Sequence, residues 1–357
     1  MAYTTINKST DYFNTKLYTG NGSTQTISGI GHKPDFSWTK VRGETGSHRV
    51  ADSTRGYTKY VYSNATDAEA TVSTNITSWN SDGFVLGNGS INENTKSYVS
   101  WNWKANGGTT SSNSDGTITS TVQANTTAGF SIVSYTGNLS SSTSATVGHG
   151  LGVAPKMIIT KRLSNTSEWG VLHEDLSDWN RVLWLNTTDT ELNKTSNGSM
   201  SAPTSTVFST NYTNALNVNS STYIAYCFAE KTGYSKISSY TGTGTSGTNP
   251  NVEGPFIYTG FKPKWILIKH ASGGTASGEH WNLQDVKRST YNPSIIMLSP
   301  NQSSAENSTN NNGIDFLSNG FKIRNNDGRL NNSGAKYIFM AFGQSLVGSN
   351  NVPCTAR

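Results

Sequence analysis

Charged side chains that could form a binding site recur three times at related places in the sequence. A lysine ends a strand-like segment that begins with proline, and an Asp-x-x-Arg motif follows. The three sets are Lys40 with Asp52 and Arg55, Lys161 with Asp178 and Arg181, and Lys269 with Asp285 and Arg288. A partly buried ammonium needs a partner, so one interpretation is an internal salt bridge from each lysine to the aspartate of its own copy. Alternatively, the lysine reaches water at the strand end, or each set binds a sugar or an anion.

A second group of residues has the types that act on or bind sugars. The acids Glu168, Glu174, Asp175 and Asp178 lie near two tryptophans in the second copy only. A glycosidase needs paired carboxylates at its cleft, but the other copies lack these acids, and we predict no catalytic residue. Aromatic rings near loops can stack on sugars, although core packing is the commoner outcome. The candidate glycan contacts are Trp79, Trp169, Trp179 and Trp281.

Motifs of other enzyme and cofactor classes are absent from the sequence. The six histidines show no metal-ligand spacing, and no HExxH, P-loop, GxSxG or CxxC pattern occurs. The two cysteines, Cys227 and Cys354, are far apart, which argues against a disulfide framework. We therefore predict neither a metal nor a cofactor.

Composition indicates a folded all-β protein. Only 33% of the 357 residues are hydrophobic and 14% charged, but 9 Trp, 16 Tyr and 12 Phe supply large apolar groups. Thr, Tyr, Trp and Val favour strands, and the abundant Gly, Asn and Ser favour turns. The net charge is +5 without any run of Lys or Arg, so we do not expect a nucleic-acid partner. No segment is apolar enough for a secretory signal or a membrane span.

Four sequence elements repeat in the same order three times. The first ends in Tyr-Thr-Gly, the second is the strand that starts with proline, the third is the Asp-x-x-Arg motif, and the last is an aromatic strand. The proline strands begin at Pro34, Pro155 and Pro263, and the aromatic strands at Tyr98, Tyr223 and Tyr337. The repeat length predicts three tandem β-sandwich domains, of jelly-roll or lectin-like type.

The predicted boundaries follow from these elements. The first sandwich occupies residues 1–108 with an N-terminal attachment segment, and a linker rich in Gly, Ser, Thr and Asn occupies 109–126. The second sandwich covers 127–233, the third 234–346, and a C-terminal tail 347–357. The second copy lacks the Asp-Gly or Asn-Gly turn of the others, so we expect its hairpin to be altered.

Several strings of the first copy occur together in a known group of proteins. Among them are Pro-Asp-Phe-x-Trp-x-Lys (34 to 40), Ser-Asp-Gly-Phe-Val-Leu-Gly (81 to 87) and Tyr-Val-Ser-Trp-Asn-Trp-Lys-Ala (98 to 105). This copy resembles a repeat domain of virion and tail-fibre-like proteins from tailed phages of marine bacteria, including cyanophages and pelagiphages. The resemblance is clear over residues 11–108 and weaker in the other copies. It implies a location on the outside of a virion and carries over no catalytic residue.

The resemblance and the composition together lead to a functional expectation. The protein is expected to be a tail fibre, a tail-associated protein or a virion-surface adhesin, assembled in the host cytoplasm and exposed on the particle. Its partners would be other virion proteins, host-surface polysaccharide and further copies of itself; alternatively, the three repeats imitate a trimer within one chain. A capsid decoration protein and a polysaccharide depolymerase are the alternative functions.

Overall fold

The computed structural model describes residues 4–275 and 278–347, and antiparallel strands dominate it. One short helix, α1 (Gly328–Asn331), and 3-10 turns at Ser9–Asp11, Thr195–Asn197 and Asn310–Asn312 complete the secondary structure. The all-β expectation is therefore confirmed. No helix in the described part of the chain is long and apolar enough to cross a membrane.

The first copy forms a main sheet of six strands and a smaller sheet of three. The main sheet has the order β1-β9-β3-β4-β5-β6, and the smaller sheet has the order β2-β8-β7. The strands are β1 (Phe13–Thr19), β2 (Gln25–Ile27), β3 (Phe36–Val41), β4 (Arg49–Asp52), β5 (Lys59–Tyr62), β6 (Ala70–Thr71), β7 (Ile76–Asn80), β8 (Gly83–Leu86) and β9 (Ser97–Trp103).

The second copy has the same plan with a wider main sheet. That sheet has the order β10-β11-β12-β19-β14-β15-β16-β17, and the smaller sheet contains only β13 and β18, in line with the expected altered hairpin. The strands are β10 (Ser111–Asn113), β11 (Ser120–Asn125), β12 (Phe130–Thr136), β13 (Ser144–Gly148), β14 (Met157–Arg162), β15 (Trp169–His173), β16 (Arg181–Trp184), β17 (Leu192–Asn193), β18 (Val207–Asn211) and β19 (Thr222–Phe228).

The third copy has a main sheet of order β20-β28-β22-β23 and a smaller one of order β21-β27-β26, with β24 and β25 paired separately. The strands are β20 (Ser235–Thr241), β21 (Phe256–Tyr258), β22 (Lys262–Ser272), β23 (Asn282–Asp285), β24 (Ile296–Met297), β25 (Asn307–Ser308), β26 (Ile314–Leu317), β27 (Gly320–Ile323) and β28 (Lys336–Gln344).

The predicted linker contains two strands of the second copy. Residues 109–126 are not simply a linker, because β10 and β11 extend the main sheet of the second copy, with Val122 pairing Val133. Val122 is also buried in that copy's core, so the alternating apolar residues outweigh the flexible composition of the segment. The predicted tail, with Cys354, lies outside the described residues except for residue 347.

The main sheets carry apolar side chains on both faces. One face packs on the small sheet of the same copy and forms a local apolar cluster. The other face contributes to one central cluster that contains residues of all three copies. Burial on both faces requires a covering layer on each side, so each copy supplies part of the cover for the others.

Three equivalent aromatic residues meet at the centre of this cluster. Trp103, Phe228 and Phe342 occupy the same register position, at the last residue of β9 and β19 and two residues before the end of β28. Their ring centroids are 6.4 Å apart for Trp103 and Phe228, 5.6 Å for Trp103 and Phe342, and 6.0 Å for Phe228 and Phe342. Because equivalent residues of three copies can all touch only near a common axis, the copies surround a pseudo-threefold axis.

The N-terminal segment packs on the third copy. The Ser9 amide donates to Gln344 Oε1 at 2.7 Å, and Gln344 Nε2 donates to the Asn7 carbonyl at 3.2 Å. Lys264 Nζ donates to Ser9 Oγ at 3.3 Å. The beginning of the first copy is thus tied to the end of the third.

We predict that Trp103→Ala destabilises the whole chain. Trp103 is 1% exposed and contacts aromatic rings of all three copies. Loss of a buried tryptophan costs about 3–5 kcal/mol, and urea unfolding followed by far-UV circular dichroism should shift to a lower midpoint as one transition. Val153→Ala, at a side chain that is 43% exposed, is the control. A curve in which only about a third of the signal shifts would contradict the shared core.

Candidate functional site at the seams between copies

Strand register aligns the copies independently of sequence similarity. Asp52 lies opposite the first residue of β3, and Asp285 lies at the corresponding place opposite Trp265. In the second copy, the residue at this place is His173. The sequence alignment of Asp178 and Arg181 with the other two Asp-x-x-Arg motifs is therefore wrong. They form a local ion pair with an N–O distance of 3.6 Å, and 48% of the Asp178 side chain is exposed.

The Asp52 carboxylate links the first copy to the second. Its Oδ2 accepts from Arg55 Nε at 2.6 Å and from the Tyr226 hydroxyl of the second copy at 2.8 Å. Its Oδ1 accepts the Thr54 and Arg55 amides, and Arg55 Nη1 also pairs with Glu69 at 3.0 Å. Burial of this charge is tolerated because every acceptor site has a donor. We call this contact between copies 1 and 2 the first seam.

The Asp285 carboxylate makes the same arrangement between the third copy and the first. Its Oδ2 accepts from Arg288 Nε at 2.6 Å and from the Trp101 indole N–H of the first copy at 3.0 Å. Arg288 also pairs with Glu306 at 3.3 Å, and its guanidinium lies 5.4 Å from the Trp101 ring centroid. Trp101 and Tyr226 are equivalent by strand register. We call this contact the third seam.

The second seam, between copies 2 and 3, replaces the charged arrangement with neutral side chains. His173 takes the aspartate position, Leu176 the arginine position and Met340 that of the aromatic donor. Leu176 and Met340 belong to the central apolar cluster. Burial lowers the pKa of His173 to about 4, so the imidazole is neutral near pH 7. Because the aspartate, the arginine and the aromatic donor are all replaced, the second seam contains no buried charge that would need a partner.

The three recurring lysines are fully buried, and two of them bond across the seams. Lys161 Nζ donates to the Thr66 carbonyl of the first copy at 2.9 Å and to the Ser167 carbonyl at 2.6 Å. Lys269 Nζ donates in the same way to the Thr188 carbonyl of the second copy at 2.8 Å and to the Glu279 main-chain carbonyl at 2.6 Å.

Lys40 differs from the other two because its ammonium bonds within its own copy. It donates to the Val41 carbonyl at 2.6 Å and to that of Glu44 at 3.2 Å. The expected salt bridge from each lysine to the aspartate of its own copy is thus wrong, because main-chain carbonyls accept these hydrogen bonds. Burial lowers the pKa of each lysine to about 8.

Two of the four candidate glycan contacts also belong to the seams. Trp169 and Trp281 are each 1% exposed, and their indole N–H groups donate to the Tyr62 carbonyl at 2.9 Å and the Trp184 carbonyl at 3.0 Å across the first and second seams. They are therefore unable to stack on a ligand. Trp79 and Trp179 are half-buried and pack against the clusters of copies 1 and 2. The sequence does not separate the two fully buried tryptophans from the two half-buried ones, because all four lie near loops.

Three of the four acids considered for a glycosidase, Glu168, Glu174 and Asp178, have side-chain partners in the structure. Glu174 pairs with Lys156 at 2.6 Å, and Glu168 accepts a hydrogen bond from Asn186. Burial raises the pKa of Glu174, and Lys156 opposes that shift. Within residues 4–275 and 278–347, no group of three or more His, Cys, Asp or Glu residues is placed to hold a metal ion.

Fold and site together define an all-β protein whose repeated polar residues join three copies into one body. The chain belongs to the DUF7483 family, a domain of unknown function, whose model matches residues 8–345. One family domain thus covers all three copies. No curated protein and no solved structure matches the chain.

We predict that Tyr226→Phe weakens the first seam. The substitution keeps the ring but removes one donor to the buried Asp52 carboxylate. An unmet acceptor of this kind costs about 1–3 kcal/mol, which chemical denaturation should detect. Tyr212→Phe, at a half-buried tyrosine, is the matched control. Equal stability of the two variants would contradict the assigned role of the hydroxyl.

The lysines predict an unusual dependence of stability on pH. The pKa of each lysine is about 8 in the folded protein and 10.5 for a lysine exposed to water, as in the unfolded chain. Between these pH values the unfolded chain therefore binds more protons than the folded protein. The free energy of unfolding should therefore rise from pH 8 to about pH 9.5. Lys161→Met should make this rise shallower by about a third, as denaturation at several pH values would show, whereas Lys287→Gln should not. A fall over this range in the unmodified protein would contradict the prediction.

Proposed function

We propose that the protein is a non-enzymatic structural component of a tailed-phage particle, exposed at the particle surface as a tail fibre, tail-associated protein or adhesin. The observation that carries this proposal is the use of the repeated charged residues to join three copies around one core. A scaffold of this kind is rigid and leaves the loops that differ between copies free to bind partners. The sequence resemblance of the first copy to virion proteins supplies the particle context.

The burial of the polar sets supports a structural rather than a catalytic role. Asp52, Asp285 and the three lysines are 0% exposed, so substrate has no access to them. Asp52, Asp285 and Lys161 each form a hydrogen bond of 2.6 Å to a neighbouring group of the protein, so these polar atoms already have partners. A catalytic group must instead reach the reacting atoms.

Each copy is interpreted as a β-sandwich, with the main and the small sheet enclosing a local cluster. Ile27 and Phe84 of the small sheet in copy 1 pack with Val41 and Tyr98 of its main sheet. Face-to-face packing of this kind is typical of sandwiches. Three such units around one axis would do within one chain what a homotrimer does in many fibres, but with three different loop sets.

Location on the particle tests the proposal. Antibodies against the protein should label purified particles at the tail or at another surface site in immunogold electron micrographs, and the protein should co-purify with particles through a density gradient. Labelling confined to the capsid, together with unchanged adsorption to the host when the protein is lost, would favour the decoration protein instead. Absence from particles after host lysis would contradict the proposal. Particles that lack the gene product serve as the control.

A further inference from the structure

Two large aromatic side chains lie exposed side by side on strand β21 of the third copy, apart from the exposed Tyr291 elsewhere in that copy. Phe256 is 47% exposed and Tyr258 is 61% exposed, while Ile257 between them is buried. Alternation along β21 places both rings on the same, solvent-facing side. The Phe256 ring also lies beside Gly320, and the exposed parts of the two rings form one apolar surface of the kind that marks interaction sites.

The other two copies show that the fold does not need these rings. Ile257 lies opposite Phe321, just as Ile27 lies opposite Phe84 in the first copy. The first copy therefore carries Thr26 and Ser28 at the two exposed positions. By the same register, the second copy carries Thr146 and Gly148, and Gly148 is buried beside Asn113. The framework tolerates small residues here, and only the third copy has aromatic ones.

A cavity of about 460 Å³ adjoins Tyr258 where the chain passes from the second copy to the third. Three lysines, Lys156, Lys231 and Lys236, line it. Two of them pair with Glu230, Lys156 at 3.1 Å and Lys236 at 3.0 Å, and Lys156 also pairs with Glu174. These two carboxylates offset two of the three lysine charges.

Lys231 is the remaining cation of the cavity. Its amide bonds to Ser235 Oγ at 2.9 Å, but no carboxylate or carbonyl of the described residues lies at its ammonium. The side chain is half-buried, and burial lowers the pKa of Lys231 without an opposing acidic neighbour. A half-buried cation of this kind would gain from an anionic ligand.

We propose that Phe256, Tyr258 and Lys231 form a binding site for an anionic polysaccharide, with a sugar ring on the aromatic surface and its acidic group at the Lys231 ammonium. Aromatic faces bind the C–H surface of sugars, and a lysine supplies the charge recognition. The cavity lies within the range of about 300–1,000 Å³ that small-ligand sites occupy. This inference deepens the proposed function, since it names the class of surface glycan that the protein contacts.

The first test measures affinity for defined oligomers by isothermal titration calorimetry with the full chain. The probes are oligogalacturonate, which carries carboxylates, dextran sulfate oligomer, which carries sulfates, and neutral dextran oligomer. Binding of at least one anionic probe is expected, with affinity that falls as salt rises. Carboxylate and sulfate are thereby distinguished. Failure of both anionic probes to bind, or equal binding of neutral dextran, would overturn the inference.

The second test uses residues that the other copies already carry at the same positions. Tyr258→Ser and Phe256→Thr copy the first repeat, and each should weaken binding about two- to tenfold through loss of stacking. Lys231→Gln should weaken binding further and flatten the salt dependence. Tyr57→Ser, at a tyrosine that is 39% exposed in the first copy, and Lys287→Gln are the controls.

Outcomes of this test differ from those of the particle test. Variants that bind as well as the unmodified chain would overturn the site, even if the protein is present on particles. Loss of incorporation into particles with unchanged sugar binding would also overturn it, because the aromatic surface would then bind a virion protein. Weaker binding with unchanged incorporation is the expected result.

Discussion

The contact among Trp103, Phe228 and Phe342 sets the conditions for the rest of the structure. These three equivalent residues touch one another at the pseudo-threefold axis. Each main sheet is apolar on the face that points to this axis, and that face would be exposed to water in an isolated copy. Because burial of apolar area is the dominant favourable contribution to folding, the copies depend on one another although each has a local cluster of its own.

The seams show how buried polar residues fix the arrangement of the copies. The first and third seams contain a fully hydrogen-bonded aspartate with an arginine and an aromatic donor, and the second is neutral. A buried pair adds little net stability over apolar residues, but a wrong partner would leave a charge uncompensated. If the copies packed in a different order, a charged side of one copy would face a neutral side of another. The two charged seams and one neutral seam therefore disfavour any other order of the copies around the axis. The exposed aromatic residues of copy 3 contribute nothing to this arrangement.

Much of the fold is predictable because each strand has its signal within a short stretch of sequence. The seams are not predictable in this way, because they join residues that are far apart in the chain. In the segments that begin with proline and in the aromatic segments, apolar residues alternate with polar ones or form a continuous run. Both patterns indicate strands. Partners across a seam are distant in sequence, so the carbonyl acceptor of Lys161 on the first copy had no local signal. Asp178 matched the motif in spacing, but the strand register puts His173 at that position. The exposed pair at Phe256 and Tyr258 was detectable in principle by comparing the three copies position by position.

Native-state hydrogen exchange of the three axial strands, β9, β19 and β28, tests the shared core most directly. Proteins open in cooperative units, and the slowest amides of one unit exchange with the same free energy. A single body predicts that the slowest amides of all three strands exchange with one common free energy, equal to that of global unfolding. Three separate values, with one copy opening while the others remain protected, would contradict the account.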